Sequence, residues 1–234
     1  MTEPQRSEFD SYAGNYQAEV EKSIAFAGVR HDVFLEAKAD ALAQLARRRG
    51  RDLRALSVLD LGCGVGVMTR MLGRSFGRVH GTDVSREAVR TAARQGAQPS
   101  YSLYDGARLP FQDGAFDFAV TACVLHHVLR ADRPALMREL LRVTRPPGGV
   151  VVFEHNPWNP LTRLAVSRCE FDRDAELLTP SGTRALMEHA GATVEESRYI
   201  LFLPWRHPIV DRIENALHTV PLGAQYLVFA RAHS

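Results

Sequence analysis

The sequence predicts an α/β fold: a mostly parallel sheet covered by helices on both faces. Short apolar runs alternate with segments of helical periodicity between residues 56 and 153, and the connections between them are short. A glycine-rich turn, Gly62-Cys-Gly64-Val-Gly66, joins the first run to the helix that follows it. Alternation of this kind builds parallel sheets, with right-handed crossovers. A length of 234 residues suits one such domain with a small cap. The boundary is drawn at residue 50, with 1–50 as a helical cap segment and 51–234 as the main domain.

Taken in order, residues 31–48 carry Val33, Phe34, Ala37, Ala41 and Leu45 at helical spacing, and the basic run before Gly50 suits a helix end. Leu56–Leu61 reads as a buried strand, followed by the glycine turn and a helix to about Arg74. Arg78–Asp83 is the next strand, and Ser85 can cap a helix running to about Gln95. Ser100–Tyr104 and Phe116–Thr121 are the third and fourth strands. A helix bearing Leu136, Leu140, Leu141 and Val143 closes at Arg145-Pro-Pro-Gly-Gly149. Val150–Phe153, apolar throughout, fits a central strand. Residues 155–180, with Pro157 and Pro160, read as irregular, and a helix then runs to about Ala190. Residues 192–203 and 224–231 read as closing strands. Between them an insertion over 204–223 has helical spacing at Ile209, Ile213 and Leu217.

Composition narrows the function. The net charge is only +2 and there is no dense basic block, so no nucleic-acid partner is expected. No apolar stretch is long enough to span a bilayer, and residues 1–9 lack a signal-peptide apolar region, so a cytoplasmic location is expected. Cys63, Cys123 and Cys169 lie far apart and read as free thiols; no Cys/His spacing suggests a metal, and none is expected.

A glycine turn at the C-terminal edge of a parallel sheet is where nucleotides bind. The next strand ends at Asp83, 21 residues after Gly62, where a carboxylate can accept from both hydroxyls of a ribose. Dinucleotide sites use Gly-x-Gly-x-x-Gly and place a pyrophosphate on the helix N-terminus. Here the pattern is Gly-x-Gly-x-Gly, and Asp60 precedes the first glycine. A carboxylate beside the loop repels a pyrophosphate and favours a cationic ligand.

Val58-Leu-Asp-Leu-Gly-Cys-Gly-Val-Gly66 resembles the first motif of class I S-adenosylmethionine-dependent methyltransferases, and Gly81-Thr-Asp-Val-Ser85 resembles the second. Tyr104-Asp-Gly-Ala-Arg-Leu-Pro-Phe111 is similar to a segment of the ubiquinone/menaquinone-type branch, with Tyr104 in place of its usual glycine. Val124-Leu-His-His-Val128 and Leu141–Val150 continue the resemblance, which is strong over about residues 55–155. It implies a Rossmann-like sheet of seven strands in the order 3-2-1-4-5-7-6, the last antiparallel. It implies S-adenosylmethionine as cofactor, S-adenosylhomocysteine as product and a small-molecule acceptor. The cofactor site implied comprises Asp60, Gly62, Cys63, Gly64, Gly66, Asp83, Val84, Asp105, Gly106, Cys123 and Tyr16. Of these, Asp83 would take the ribose, Val84 the adenine face, Asp105 and Gly106 the adenine edge, and Cys123 the methionine part.

Methyl transfer to a hydroxyl needs an oriented nucleophile and a proton acceptor. His126-His127 follows the fourth strand and Glu154-His155 the fifth. By resemblance to small-molecule O-methyltransferases, His126 is expected as base and Glu154 as its orienting partner, with His127 beside them. Tyr12, His155, Trp158 and Trp205 are the candidate acceptor contacts. The expected reaction is methylation of an oxygen or nitrogen of a small metabolite, such as a sugar or natural-product intermediate. The alternatives are an RNA or protein methyltransferase, or a non-catalytic S-adenosylmethionine-binding protein. Oligomeric state is not legible.

Overall fold

The computed structural model describes residues 16–25, 30–203, 213, 214 and 216–232. Its helices are α1 (Tyr16–Ile24), α2 (His31–Arg48), α3 (Val67–Gly73), α4 (Arg86–Ala93), α5 (Arg133–Val143), α6 (Pro160–Arg168) and α7 (Pro180–His189). Its strands are β1 (Ser57–Leu61), β2 (Arg78–Asp83), β3 (Ser100–Leu103), β4 (Phe116–Ala122), β5 (Thr144–His155), β6 (Thr193–Ile200) and β7 (Gln225–Arg231). They form one seven-stranded sheet of order β3-β2-β1-β4-β5-β7-β6. Neighbours are parallel from β3 to β5, and β7 runs antiparallel to both β5 and β6. The expected strand order and the antiparallel last strand are both observed.

Strand periodicity divides the core between two faces. Val58, Phe118, Val120, Val151, Phe153 and Phe229 point to one side, where they meet Leu42 and Leu45 of α2 and Leu72 of α3. Leu59, Leu61, Ala119, Val150, Val152 and Val228 point to the other, against Leu136, Met137 and Leu140 of α5 and Met187 of α7. The helix before residue 50 is therefore part of the core rather than a cover laid over it. Central β5 is buried on both faces from Gly148 to Glu154, as its apolar run predicts.

The stretch after β5 is not wholly irregular, because Pro160 occupies the first turn of α6 and the Asn159 side chain accepts from the Thr162 N–H. A proline there costs no helical hydrogen bond, so it starts the helix instead of breaking it. Of the 204–223 insertion, residues 213, 214, 216 and 217 are helical; Ile209 and Trp205 lie outside the described residues.

The N-terminal ends of the strands are tied by Asp117 at the start of β4. Its carboxylate accepts from the Ser57 N–H (2.9 Å) and Ser57 Oγ (3.0 Å) and pairs with Arg51 (2.8 Å) and Arg145 (2.6 Å). Burial opposes its charge, but these donors outweigh that and hold its pKa below the usual carboxylate value. Asp117→Ala leaves the Ser57 N–H unpaired and should cost about 2–3 kcal/mol, discounted for the exposed Arg145. Urea unfolding checks this; a loss under about 0.5 kcal/mol would mean the cluster is only a surface ion pair.

Candidate active site

Chain connections leave β1 toward β2 and β4 toward β5, so the sheet reverses direction between β1 and β4. Ligands of open α/β sheets bind at such a switch point, beyond the C-terminal strand ends. The glycine turn lies there. The Gly62 and Cys63 N–H groups both donate to Thr82 O, which ties the turn to β2. Gly62 has φ +75, and a Cβ there would sit 2.3 Å from Val124 Cγ2, so only glycine fits. Gly64 has φ +51 and nothing within 4 Å of a built Cβ, so its backbone borders open space. Gly66 caps α3, with Tyr101 packed against it.

Asp83 Oδ2 accepts from the Gly64 N–H (2.8 Å) and Oδ1 from the Ser85 N–H (2.9 Å). A carboxylate has lone pairs beyond these two for a diol. Val84 packs against the core, Asp105 Oδ1 accepts from the N–H groups of Ala107 and Arg108 (2.8 Å each), and Gly106 has φ +81. Asp60 is buried and accepts from Thr69 Oγ1 at 2.7 Å. Burial pushes its carboxyl up to about 6; the Asp83 charge adds to that, and Thr69 and Lys38 oppose it.

Asp60, Gly62, Cys63 and Gly64 line a small cavity of about 50 Å³ together with His31, Leu35 and Ala122. The same three residues, His31, Leu35 and Ala122, also line a second cavity of about 360 Å³. The two spaces are thus adjoining compartments. The larger one is bounded by Cys123, His126, His127, His155, Asp172 and Gln225, with apolar walls from Phe34, Val166 and Phe202.

At its floor, Glu154 is fully buried. Its Oε1 accepts from the Val124 (3.1 Å) and Leu125 (2.8 Å) N–H groups, and its Oε2 lies 2.5 Å from His126 Nδ1. The pair expected from the sequence is thus in contact. Burial disfavours a charged His126, but the Glu154 and Asp172 carboxylates overcome it and raise the pKa to about 10. His126 therefore holds a proton at neutral pH, which sets it apart from the free base expected of it. Glu154 is held down at about 2, its burial outweighed by the His126 charge. His155 behaves oppositely: burial first, then the His126 charge, lower it to about 4.

His126 Nε2 and His127 Nε2 each lie 3.3 Å from Asp172 Oδ1. Asp172 sits in a 3₁₀ turn, Glu170–Asp172, within the stretch read as irregular. The Cys123 backbone has φ +57, a rare conformation for a residue with a Cβ, and its Sγ accepts from Lys38 Nζ and Gln225 Nε2 (3.4 Å each). All three cysteines are free thiols.

Of the acceptor contacts expected from sequence, His155 lines the cavity. Trp158 does not: it is 63% exposed. Asn156 causes this by accepting from the Trp158 N–H while donating to Pro221 O and Gly223 O, which turns the chain outward. Tyr12 and Trp205 lie outside the described residues, as does the Tyr16 side chain at the start of α1. Sequence reasoning missed His31, Lys38, Asp172 and Gln225. Lys38 and His31 carried a signal, since His31, Leu35, Lys38 and Leu42 share one face of α2, and a buried lysine on an apolar stripe is uncommon.

The fold and the turn define a class I methyltransferase architecture. Residues 59–153 match the family described as "Methyltransferase domain". The chain is 31% identical over 129 residues to a 2-methyl-6-phytyl-1,4-hydroquinone methyltransferase of Synechocystis sp., covering 53% of this chain and 40% of that protein. It is 30% identical over 163 residues to a ubiquinone/menaquinone biosynthesis C-methyltransferase of Burkholderia orbicola, covering 66% of this chain and 62% of the relative. The chain thus spans less than two thirds of the length of these relatives. A solved magnesium protoporphyrin IX methyltransferase from Synechocystis PCC 6803 with bound SAH superposes with a TM-score of 0.67 over 97% of this chain and 98% of that one, at 17% identity. Residues 59–153 thus carry the methyltransferase domain of that family, whose methyl donor is S-adenosylmethionine, and the similarity to quinone methyltransferases extends over 66% of this chain. Among the described residues, no helix is long and apolar enough to cross a membrane.

The raised Asp60 pKa sets a stability test in the absence of ligand. A carboxyl whose folded pKa lies above its unfolded value stabilises the fold when protonated and loses that contribution as pH rises through about 6. Asp60→Asn keeps an acceptor for Thr69 and should exceed the wild type by about 3 kcal/mol near pH 7.5. The gap should close near pH 4. Denaturant unfolding at both pH values reads it; an equal gap at both would refute the buried-charge account.

Proposed function

We propose that this chain transfers the methyl group of S-adenosylmethionine to a hydroxyl oxygen of a small metabolite. The carrying observation is that the glycine-turn cavity and the histidine-lined cavity adjoin at His31, Leu35 and Ala122. One compartment suits a donor, the other an acceptor, and the reacting atoms meet where they join.

The residues present fit the donor. The open space at Gly64 admits a ligand against the backbone, and Asp83 has capacity for the ribose hydroxyls. Val84 serves the adenine face and Asp105 with Gly106 its edge. Asp60 gives the turn a carboxylate facing the cationic part, and Cys123 flanks the methionine part. When bound, the cofactor supplies an electrophilic methyl on a sulfonium with a neutral thioether as leaving group.

The chain's own task is to orient the acceptor and receive its proton. His155 is placed to receive it. It lies half-buried on the cavity wall at the end of β5, its Nδ1 3.4 Å from Gln225 Nε2, and it is uncharged at neutral pH. His126, clamped by Glu154, orients rather than accepts. An amine acceptor would need this machinery less, so the histidine-rich wall favours oxygen. Residues 1–50 carry α1, whose Val20 and Ile24 close the acceptor side.

Calorimetry with S-adenosylhomocysteine should show binding in the micromolar range, and Asp83→Ala should weaken it at least about tenfold, the loss of about one charged hydrogen bond. Binding of NADH with none of S-adenosylhomocysteine would overturn the reading. A labelled-methyl screen over hydroxylated metabolites should identify an acceptor. With it, His155→Gln should lower kcat about 100-fold or more while leaving the S-adenosylhomocysteine affinity unchanged; an unaltered kcat would remove His155 from the proton path.

A further inference from the structure

We propose that His126, His127 and Asp172 form a site for one divalent first-row transition ion at the wall of the acceptor cavity. No metal is expected from the sequence, because the ligands come from distant segments. The turn after β4 supplies two histidines in succession, with ring centroids 4.2 Å apart, and the 3₁₀ turn after α6 brings Asp172 to them. Among the described residues, this is the group of histidine, cysteine and carboxylate side chains whose donor atoms converge, all within 4.8 Å of one another. Ligands about 2.0–2.2 Å from one ion at roughly tetrahedral or octahedral angles are about 3.0–3.5 Å apart. The two nitrogens are each 3.3 Å from Asp172 Oδ1, within that interval.

A second observation points to a ligand independently. His126 Nε2 is buried and lacks a partner in hydrogen-bonding alignment; Asp172 Oδ1 at 3.3 Å is close but not aligned as one. Buried polar atoms are almost always satisfied, so an orphan directed into a donor cluster calls for something at the centre. On the far side of the same ring, Nδ1 is bonded to Glu154, which itself is fixed by two backbone N–H groups. Metal-binding histidines use this arrangement: a carboxylate fixes the ring and tautomer from behind, and the other nitrogen faces the ion. An ion arriving there replaces the Nε2 proton, which is released to solvent.

The donor set selects the ion class. Two imidazoles and one carboxylate suit zinc, cobalt, manganese, nickel or ferrous iron; magnesium and calcium prefer oxygen-only ligands. Three protein donors leave coordination positions open, and all three residues border the 360 Å³ cavity. An acceptor hydroxyl bound at an open position would be acidified and held in place. That role rests on the methyltransferase reading given above; the site itself does not.

Untagged protein, stripped with chelator and dialysed, is titrated with Co(II) and followed by its visible d–d absorption. One equivalent should bind with the intensity of a low-coordinate nitrogen/oxygen site. His127→Ala and Asp172→Ala should each weaken binding about 30-fold or more. S-adenosylhomocysteine affinity, unchanged in both variants, serves as the check on folding. Should either variant fail that check, Glu154→Gln replaces it, with about a 10–100-fold loss expected from the disturbed outer carboxylate. Absence of stoichiometric Co(II) binding, or binding unaltered in folded variants, overturns the inference. Cofactor binding without Co(II) binding would sink the metal site alone. Co(II) binding without cofactor binding would sink the methyltransferase reading and leave the site standing.

Discussion

The Glu154 carboxylate is the contact on which the rest of the site depends. It is fully buried at the end of the central strand, and each of its oxygens is engaged. Oε1 holds the Val124 and Leu125 N–H groups, and Oε2 holds His126. A buried carboxylate is costly unless its lone pairs are filled and its charge compensated. Here that requirement forces the chain leaving β4 into one path: Cys123 takes a left-handed conformation and Leu125–His127 form a 3₁₀ turn. That path in turn sets His126 and His127 facing Asp172 and aligns the Cys123 thiol with Lys38. One carboxylate therefore positions the floor of the acceptor cavity.

The two ends of the sheet divide the work. At the N-terminal end, Asp117 is compensated by two arginines and a serine, an arrangement that holds strands together. At the C-terminal end, the charged groups face space. Asp60 borders the small cavity at the glycine turn, and the histidine cluster borders the large one. The same residue types have different consequences because the strand order reverses between β1 and β4, which opens a crevice beyond the C-terminal strand ends.

Much of this was legible in the sequence, for physical reasons that can be named. Apolar runs such as Val150–Phe153 report burial on both faces of a sheet, and glycines separated by single residues report a backbone bent against its neighbours; both are local signals. Glu154 and His126 were paired by resemblance to O-methyltransferases, and they meet because Glu154 ends one strand and His126 lies in the turn after the adjacent parallel one. The Asp172 contact was not, because it depends on where α6 returns the chain, and Pro160 hid that helix by resembling a breaker. The protonation of His126 was equally out of reach: it follows from two carboxylates meeting one ring, only one of which could be placed. Trp158 failed for a simpler reason, since aromatic character alone does not say which way Asn156 turns the chain.

An adenosyl site in the crevice beyond β1, β2 and β3, built on the glycine turn, is open to direct test. Hydrogen–deuterium exchange of the ligand-free protein and of its mixture with saturating S-adenosylhomocysteine tests it most directly. Slowed exchange is expected, confined to residues 60–66, 81–85 and 104–107, with NADH producing none. Slowing elsewhere, with those three segments unchanged, would contradict it.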